Sequence, residues 1–170
     1  MNKTANTLLF AVAVVALCVR AGKTSAQMPA AIDAPGRTMV ATLHAEGAQV
    51  YECKADTDGK LSWQIREPIA TLFLDGRTIG RHYAGPTWEH TDGSMIVGKV
   101  VGIVFGATPN DVPWLRVEVV DRRGNGMLSG VTTVQRINTK GGTAQGPCDN
   151  TGIYLSVPYS AEYVFLGRGA

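Results

Sequence analysis

From about residue 37 onward, short stretches rich in β-branched and aromatic residues recur along the chain, each closed by Gly, Pro, Asp or Asn. Within them apolar and polar positions alternate. Leu115, Val117 and Val119 fall on one side of their stretch and Arg116 and Glu118 on the other, the period of two expected of a strand with one buried face. No stretch carries a 3.6-residue apolar period, so no helix is predicted. Strands are predicted over 38–43, 48–54, 61–66, 70–74, 78–84, 95–105, 114–121, 131–138, 154–157 and 162–166. Turn sequences stand between them at 56–59, Asp75-Gly76, Asp92-Gly93, 124–126 and Gly141-Gly142, where Asp, Asn and Gly accept positive φ. The predicted fold is all-β: a single antiparallel β-sandwich or closed β-barrel with short hairpin connections, since either arrangement hides the edges of the sheet.

The alternation also predicts faces. In 48–54, Gln49, Tyr51 and Cys53 share a side, which places Tyr51 inward beside Cys53, while Val50 and Glu52 share the other. The stretch 95–105 departs from the pattern, being apolar on both sides with Gly98, Gly102 and Gly106 at every fourth position. A central strand with bends accounts for it better than a membrane Gly-x-x-x-Gly contact, because Lys99 interrupts the run.

The first 26 residues have a different grammar. Lys3 precedes an unbroken apolar run over 8–19, and Thr24-Ser25-Ala26 supplies small side chains before Gln27, the order of a signal peptide cleaved after Ala26. The run is shorter than the roughly 20 residues that a spanning helix needs, so no membrane span is expected once the leader is removed. Residues 27–36, with two prolines and no periodicity, read as an extended N-terminal arm, and 37–170 as a single β-rich domain. Export, to the periplasm or the medium, is the expected localisation.

Removing the leader changes two further readings. The formal charge of +2 includes Lys3, Arg20 and Lys23, with no acid among residues 1–26 to balance them, so the remainder is slightly acidic. Outside the leader the adjacent basic pair is Arg122-Arg123, beside Asp121, and nothing forms the cationic face that nucleic acid requires. Cys18 departs with the leader, leaving Cys53 and Cys148 as an even pair in an exported chain, which predicts a structural disulfide closing a loop of about 95 residues.

Several words are specific: HAEGAQVYECKA from His44, IGRHYAGPTWEHTDGS from Ile79, VPWLRVEVV from Val112, GVTTVQRINTKGG from Gly130 and VPYSAEYVF from Val157. On these words the chain resembles the exported proteins grouped as domain of unknown function 3455, from about His44 to Phe165. The resemblance implies a signal peptide, two cysteines matching Cys53 and Cys148, and a β-rich domain; it implies no activity. Dehydrogenase labels carried by some members find no support here, because no G-x-G-x-x-G follows a strand and no alternating βα pattern is present.

Candidate chemistry concentrates in Arg81, His82, Tyr83, Trp88, Glu89 and His90, which straddle the Gly85-Pro86 break. As imidazoles, His82 and His90 are weak candidate metal ligands beside Glu89; the competing reading is a turn whose Trp88 plugs the barrel end. No G-x-S-x-G elbow surrounds any serine, and no acid pair stands out for glycoside hydrolysis. Arg136 is expected either to pair with a carboxylate such as Glu118 or Glu162, the commoner outcome, or to meet an anionic group at a pocket mouth. Trp63, Trp88 and Trp114 are candidate platforms for a ligand, though single tryptophans are more often core. The leading expectation is an exported module that binds a small molecule or an envelope component through Arg81, His82, Tyr83, Trp88, Glu89, His90 and Arg136. An extracytoplasmic, metal-assisted enzyme is the first alternative, a structural envelope protein without a pocket the second. No catalytic residue and no cofactor is assigned from the sequence.

Overall fold

The computed structural model describes residues 27–169, so the leader expected over 1–26 lies outside the described residues. The strands are β1 (Arg37–Ala55), β2 (Leu61–Leu74), β3 (Arg77–Tyr83), β4 (Thr87–His90), β5 (Met95–Val104), β6 (Trp114–Arg123), β7 (Val131–Gly141) and β8 (Tyr154–Arg168). Among the described residues there is no helix, and therefore none long and apolar enough to cross a membrane. Each strand pairs antiparallel with its successor, and β8 returns to pair with β1 from Arg37↔Arg168 to Glu52↔Tyr154. One sheet thus closes on itself as an irregular ring, which decides between the sandwich and the barrel.

Three strands are longer than alternation predicts, because residues that read as breaks lie inside them. The spans 38–43 and 48–54 are one strand, β1, continuous through Gly47. A side chain at Gly47 would collide with the Ile69 carbonyl on β2, so this glycine permits close approach and makes no turn. Pro68 lies inside β2, opposite Gln49 of β1, at a height where β3 no longer pairs with β2, so its missing N–H leaves no rung unmade. Pro158 is carried within β8 in the same way. Strand β4 has no counterpart in the predicted spans: its four residues, TWEH, are too few and too polar to show a period.

The core fills the end of the ring that holds the β2–β3 turn. Leu43, Leu72, Ile96, Val131, Val134 and Phe165 are buried there, and Leu128 of the β6–β7 connection closes that end. Asp75 and Gly76 form the β2–β3 turn with positive φ, as the Asp-Gly pair predicts. At the opposite end Cys53 and Cys148 form a disulfide, with Cα atoms 5.9 Å apart. It ties the 142–153 connection to the top of β1, where Cys53 N donates to Ile153 O and Gly152 N to Cys53 O, both at 3.0 Å.

The segment read as an extended arm makes a turn, with Ile32 N and Asp33 N both donating to Pro29 O at 3.0 Å. Ile32 is completely buried against the outside of the ring. Gln135 Nε2 donates to Ile32 O and Arg116 Nη1 to Asp33 O, each at 2.6 Å. These contacts explain why Gln135, on the outer side of β7, is buried. They also explain Gly102: any side chain there would strike the Ala31 carbonyl. Gly98 serves the inner side, where a Cβ would run into Val117 and lie 3.3 Å from the Trp88 ring. Register shifts at Val97/Gly98 and Val100/Gly102 supply the bends predicted for this strand.

Candidate functional site

The β3–β4 hairpin distributes the polar and aromatic cluster between two sides of the sheet. Its turn closes through Gly85 at φ 132° and Pro86, with Thr87 Oγ1 donating to Ala84 O at 2.8 Å. In the register His82 stands opposite Trp88 and Arg81 opposite Glu89. The first pair faces the interior and the second faces solvent, as alternation requires.

On the outside, Arg81 Nη2 and Nε reach Glu89 Oε2 at 2.8 and 3.1 Å, Tyr83 OH donates to the same oxygen at 2.9 Å, and the guanidinium lies 5.0 Å from the Tyr83 ring centre. The Arg81 bond, then the Tyr83 bond, hold the Glu89 carboxyl below its ordinary pKa. This is an exposed cross-strand ladder of modest energetic weight. His90 has a separate task. Its Nδ1 lies 2.9 Å from Asp92 Oδ2, and Asp92 accepts from Ser94 N and Oγ and from Met127 N, bracing the β4–β5 turn against the β6–β7 connection. Those bonds, led by the Ser94 hydroxyl, hold the Asp92 carboxyl well below the usual carboxylate range. His82 and His90 therefore engage different partners. Among the described residues no group of three or more His, Cys, Asp or Glu is arranged to hold a metal.

Inside, the His82 ring stacks on Trp88 with centroids 4.5 Å apart and planes within 9°, and the Tyr163 ring meets both edge-on at 5.0 and 5.5 Å. His82 Nδ1 must carry the hydrogen, because its partner at 2.8 Å is the Thr87 carbonyl, which can only accept. Burial pushes the pKa of His82 down to about 3, so the ring is neutral at physiological pH. Trp88 is core, packed within the ring, and the sequence reading of it as an end plug is replaced by this stack.

Arg136 departs from its commoner expectation. Glu118 and Glu162 both project from the outer side, where Glu118 accepts from Thr133 Oγ1 at 2.9 Å and Glu162 meets His44 Nδ1 at 2.9 Å. Arg136 projects inward from β7 and is 8% exposed. Its Nε and Nη2 both donate to Pro113 O, at 3.0 and 2.9 Å. Among the described residues no carboxylate pairs with it. Tyr163 and Tyr159 lie beside it with their hydroxyls 3.3 Å apart; burial raises both phenols and Arg136 opposes that shift.

These inner groups line a cavity of about 390 Å³. Gln49, His82, Trp88, Leu115, Val117, Arg136 and Tyr163 form its depth, and Ile65–Pro68, Ala84–Pro86 and Val100 its rim. It opens through the side of the ring, for a reason visible in the ladders. Strand β3 pairs with β2 over Ala70–Leu74, and β4 pairs with β5 over Met95–Val97. Beyond those rungs, and among the described residues, the Leu61–Ile69 part of β2 and the Lys99–Val104 part of β5 have a partner strand on one side alone. The short β3–β4 hairpin stops between them and leaves a slit. Val100 and Ile103 stand opposite the inward Val117 and Leu115, yet they are 37% and 59% exposed, and Ile65 is 57% exposed.

The structure thus brings together His82, Trp88 and Arg136 from the predicted set, and leaves Arg81, Tyr83 and Glu89 on the outer surface and His90 at a turn. Gln49 and Tyr163 join the cavity unannounced by any motif; the available signal is their phase, Gln49 with Cys53 and Tyr163 with Ala161 and Phe165. Trp63 and Trp114 are not among the residues that line it.

Among the described residues, fold and site define an eight-stranded antiparallel sheet closed in a ring, with a cavity that opens through its side. The chain belongs to the family described as protein of unknown function (DUF3455), whose model matches residues 34–77 and 74–167. No curated protein and no solved structure matches it.

Proposed function

We propose that this protein is an exported binding module that holds a small, largely apolar molecule inside the ring, entering through the slit between β2 and β5. The observation that carries this reading is the cavity itself. Its volume of about 390 Å³ lies in the range of small-molecule sites, and Ile65, Pro68, Trp88, Val100, Leu115 and Val117 supply apolar walls around a few polar groups. Binding fits these residues better than catalysis. The interior imidazole is neutral and held by Thr87 O, far from the poise of a general base, and the carboxylate on the rim, Glu67, is engaged with Arg66 at 3.3 Å. Export draws support from the leader-like first 26 residues and from the Cys53–Cys148 bridge, a bond that persists in oxidising compartments.

The test uses N-phenyl-1-naphthylamine, a neutral dye that brightens in apolar surroundings. Wild-type protein is expected to bind one dye per chain saturably, and Val100→Trp, which places a large ring across the mouth, to lose most of that binding with folding intact by circular dichroism. Dye binding that is unsaturable, or indifferent to Val100→Trp, overturns the cavity as the site.

A further inference from the structure

A guanidinium taken out of water is costly unless an anion or a full set of acceptors compensates it. Arg136 has one backbone carbonyl, Pro113 O, which occupies Nε and Nη2, and the Tyr163 hydroxyl beside it is neutral, so among the described residues no group supplies the guanidinium with a countercharge. The surrounding wall repeats the imbalance. The Gln49 amide nitrogen is buried with no hydrogen-bond partner, and the cavity holds no buried carboxylate to match the Arg136 charge. Pro113 O also fixes the guanidinium in position, so its charge is held in place before any ligand arrives. Below and beside this group the walls turn apolar, from Trp88, Leu115 and Val117 outward to Val100 and Ile65 at the slit.

We infer that the cavity selects an amphiphilic carboxylate, its head group on the Arg136 guanidinium beside the Gln49 amide and its apolar body running along Leu115, Val117 and Val100 toward the slit. This rests on the cavity reading above and adds to it the chemical class of the ligand. A carboxylate accepts two hydrogen bonds side by side, the geometry that a guanidinium edge offers, and it supplies the missing countercharge. A cationic head would meet Arg136 repulsively, and an alcohol would leave the charge uncompensated.

The experiment is displacement of N-phenyl-1-naphthylamine from the full chain by decanoate, decanol and decylamine at pH 7.5. Decanoate is expected to compete at concentrations roughly ten- to a hundredfold lower than decanol, the gain of a charge-assisted hydrogen bond, and decylamine to be weakest. Arg136→Gln should bring decanoate and decanol together while the dye still binds. Comparing the three competitors on the unaltered protein needs no variant, so it decides the question even if Arg136→Gln loosens the Pro113 contact. If decanol competes as well as decanoate, the carboxylate inference is wrong and the apolar cavity stands. If the dye binds saturably but none of the three displaces it, the inference is wrong and the apolar cavity stands. If the dye itself fails to bind, the cavity reading falls and takes the inference with it.

Discussion

Replacing Trp88 by alanine is expected to lower the free energy of unfolding by about 3–5 kcal/mol, the cost of deleting a buried aromatic ring and leaving a void. Trp88 is 1% exposed, stacks on His82, meets Tyr163 and Phe165 edge-on, and rests against Gly98. Its indole nitrogen is buried without a hydrogen-bond partner, so the loss is one of packing alone. The control lies on the same hairpin. Arg81→Ala removes the exposed, solvent-screened pair with Glu89 and should leave the urea midpoint close to that of the unaltered protein. Urea unfolding of the two variants, one residue type from each side of the same sheet, measures the difference. Equal costs for the two would contradict the assignment of His82 and Trp88 to the interior.

Removing the disulfide, as Cys53→Ala with Cys148→Ala, is expected to destabilise the protein by about 4–5 kcal/mol in the chain-entropy account, within the 2–5 kcal/mol commonly found for native bridges. The estimate follows from the loop it closes, which spans a sequence separation of 95, most of the domain. The loss should also be uneven. The bridge secures the 142–153 connection beside the Cys53–Ile153 and Gly152–Cys53 hydrogen bonds, whereas the core packs at the other end of the ring. Backbone amides of 142–153 should then exchange with solvent sooner than those of β7 and the lower part of β8. An unchanged urea midpoint in the double variant would show that the bridge contributes nothing to folding.

What could be read from the sequence divides along physical lines. Alternation is local, and it correctly put Leu115 and Val117 inside and Arg116 and Glu118 outside, because each depends on its own strand alone. The Asp-Gly turn at 75–76 was equally legible, since positive φ is a property of those two residues. Gly47 and Pro68 misled, because whether such a residue breaks a strand depends on the neighbouring strand: the Ile69 carbonyl at one, an absent partner at the other. The polar-aromatic cluster looked continuous in the chain, yet the hairpin register sends His82 and Trp88 inward and Arg81, Tyr83 and Glu89 outward. Arg136 could not be matched to its acceptor from sequence, as the partner is the backbone of Pro113, reached across the β6–β7 pair. The slit was the least legible feature of all. It arises because β3 and β4 are shorter than β2 and β5, a difference of length that no side-chain pattern announces.

The central claim, that the ring carries a ligand, is tested most directly by native mass spectrometry of the protein recovered from its own host, beside a denatured spectrum of the same sample. The account predicts a native mass exceeding the denatured mass by one organic molecule, released as an anion on unfolding, and no such excess for Val100→Trp. A native mass equal to that of the bare chain, in protein that also fails to take up N-phenyl-1-naphthylamine, would contradict it.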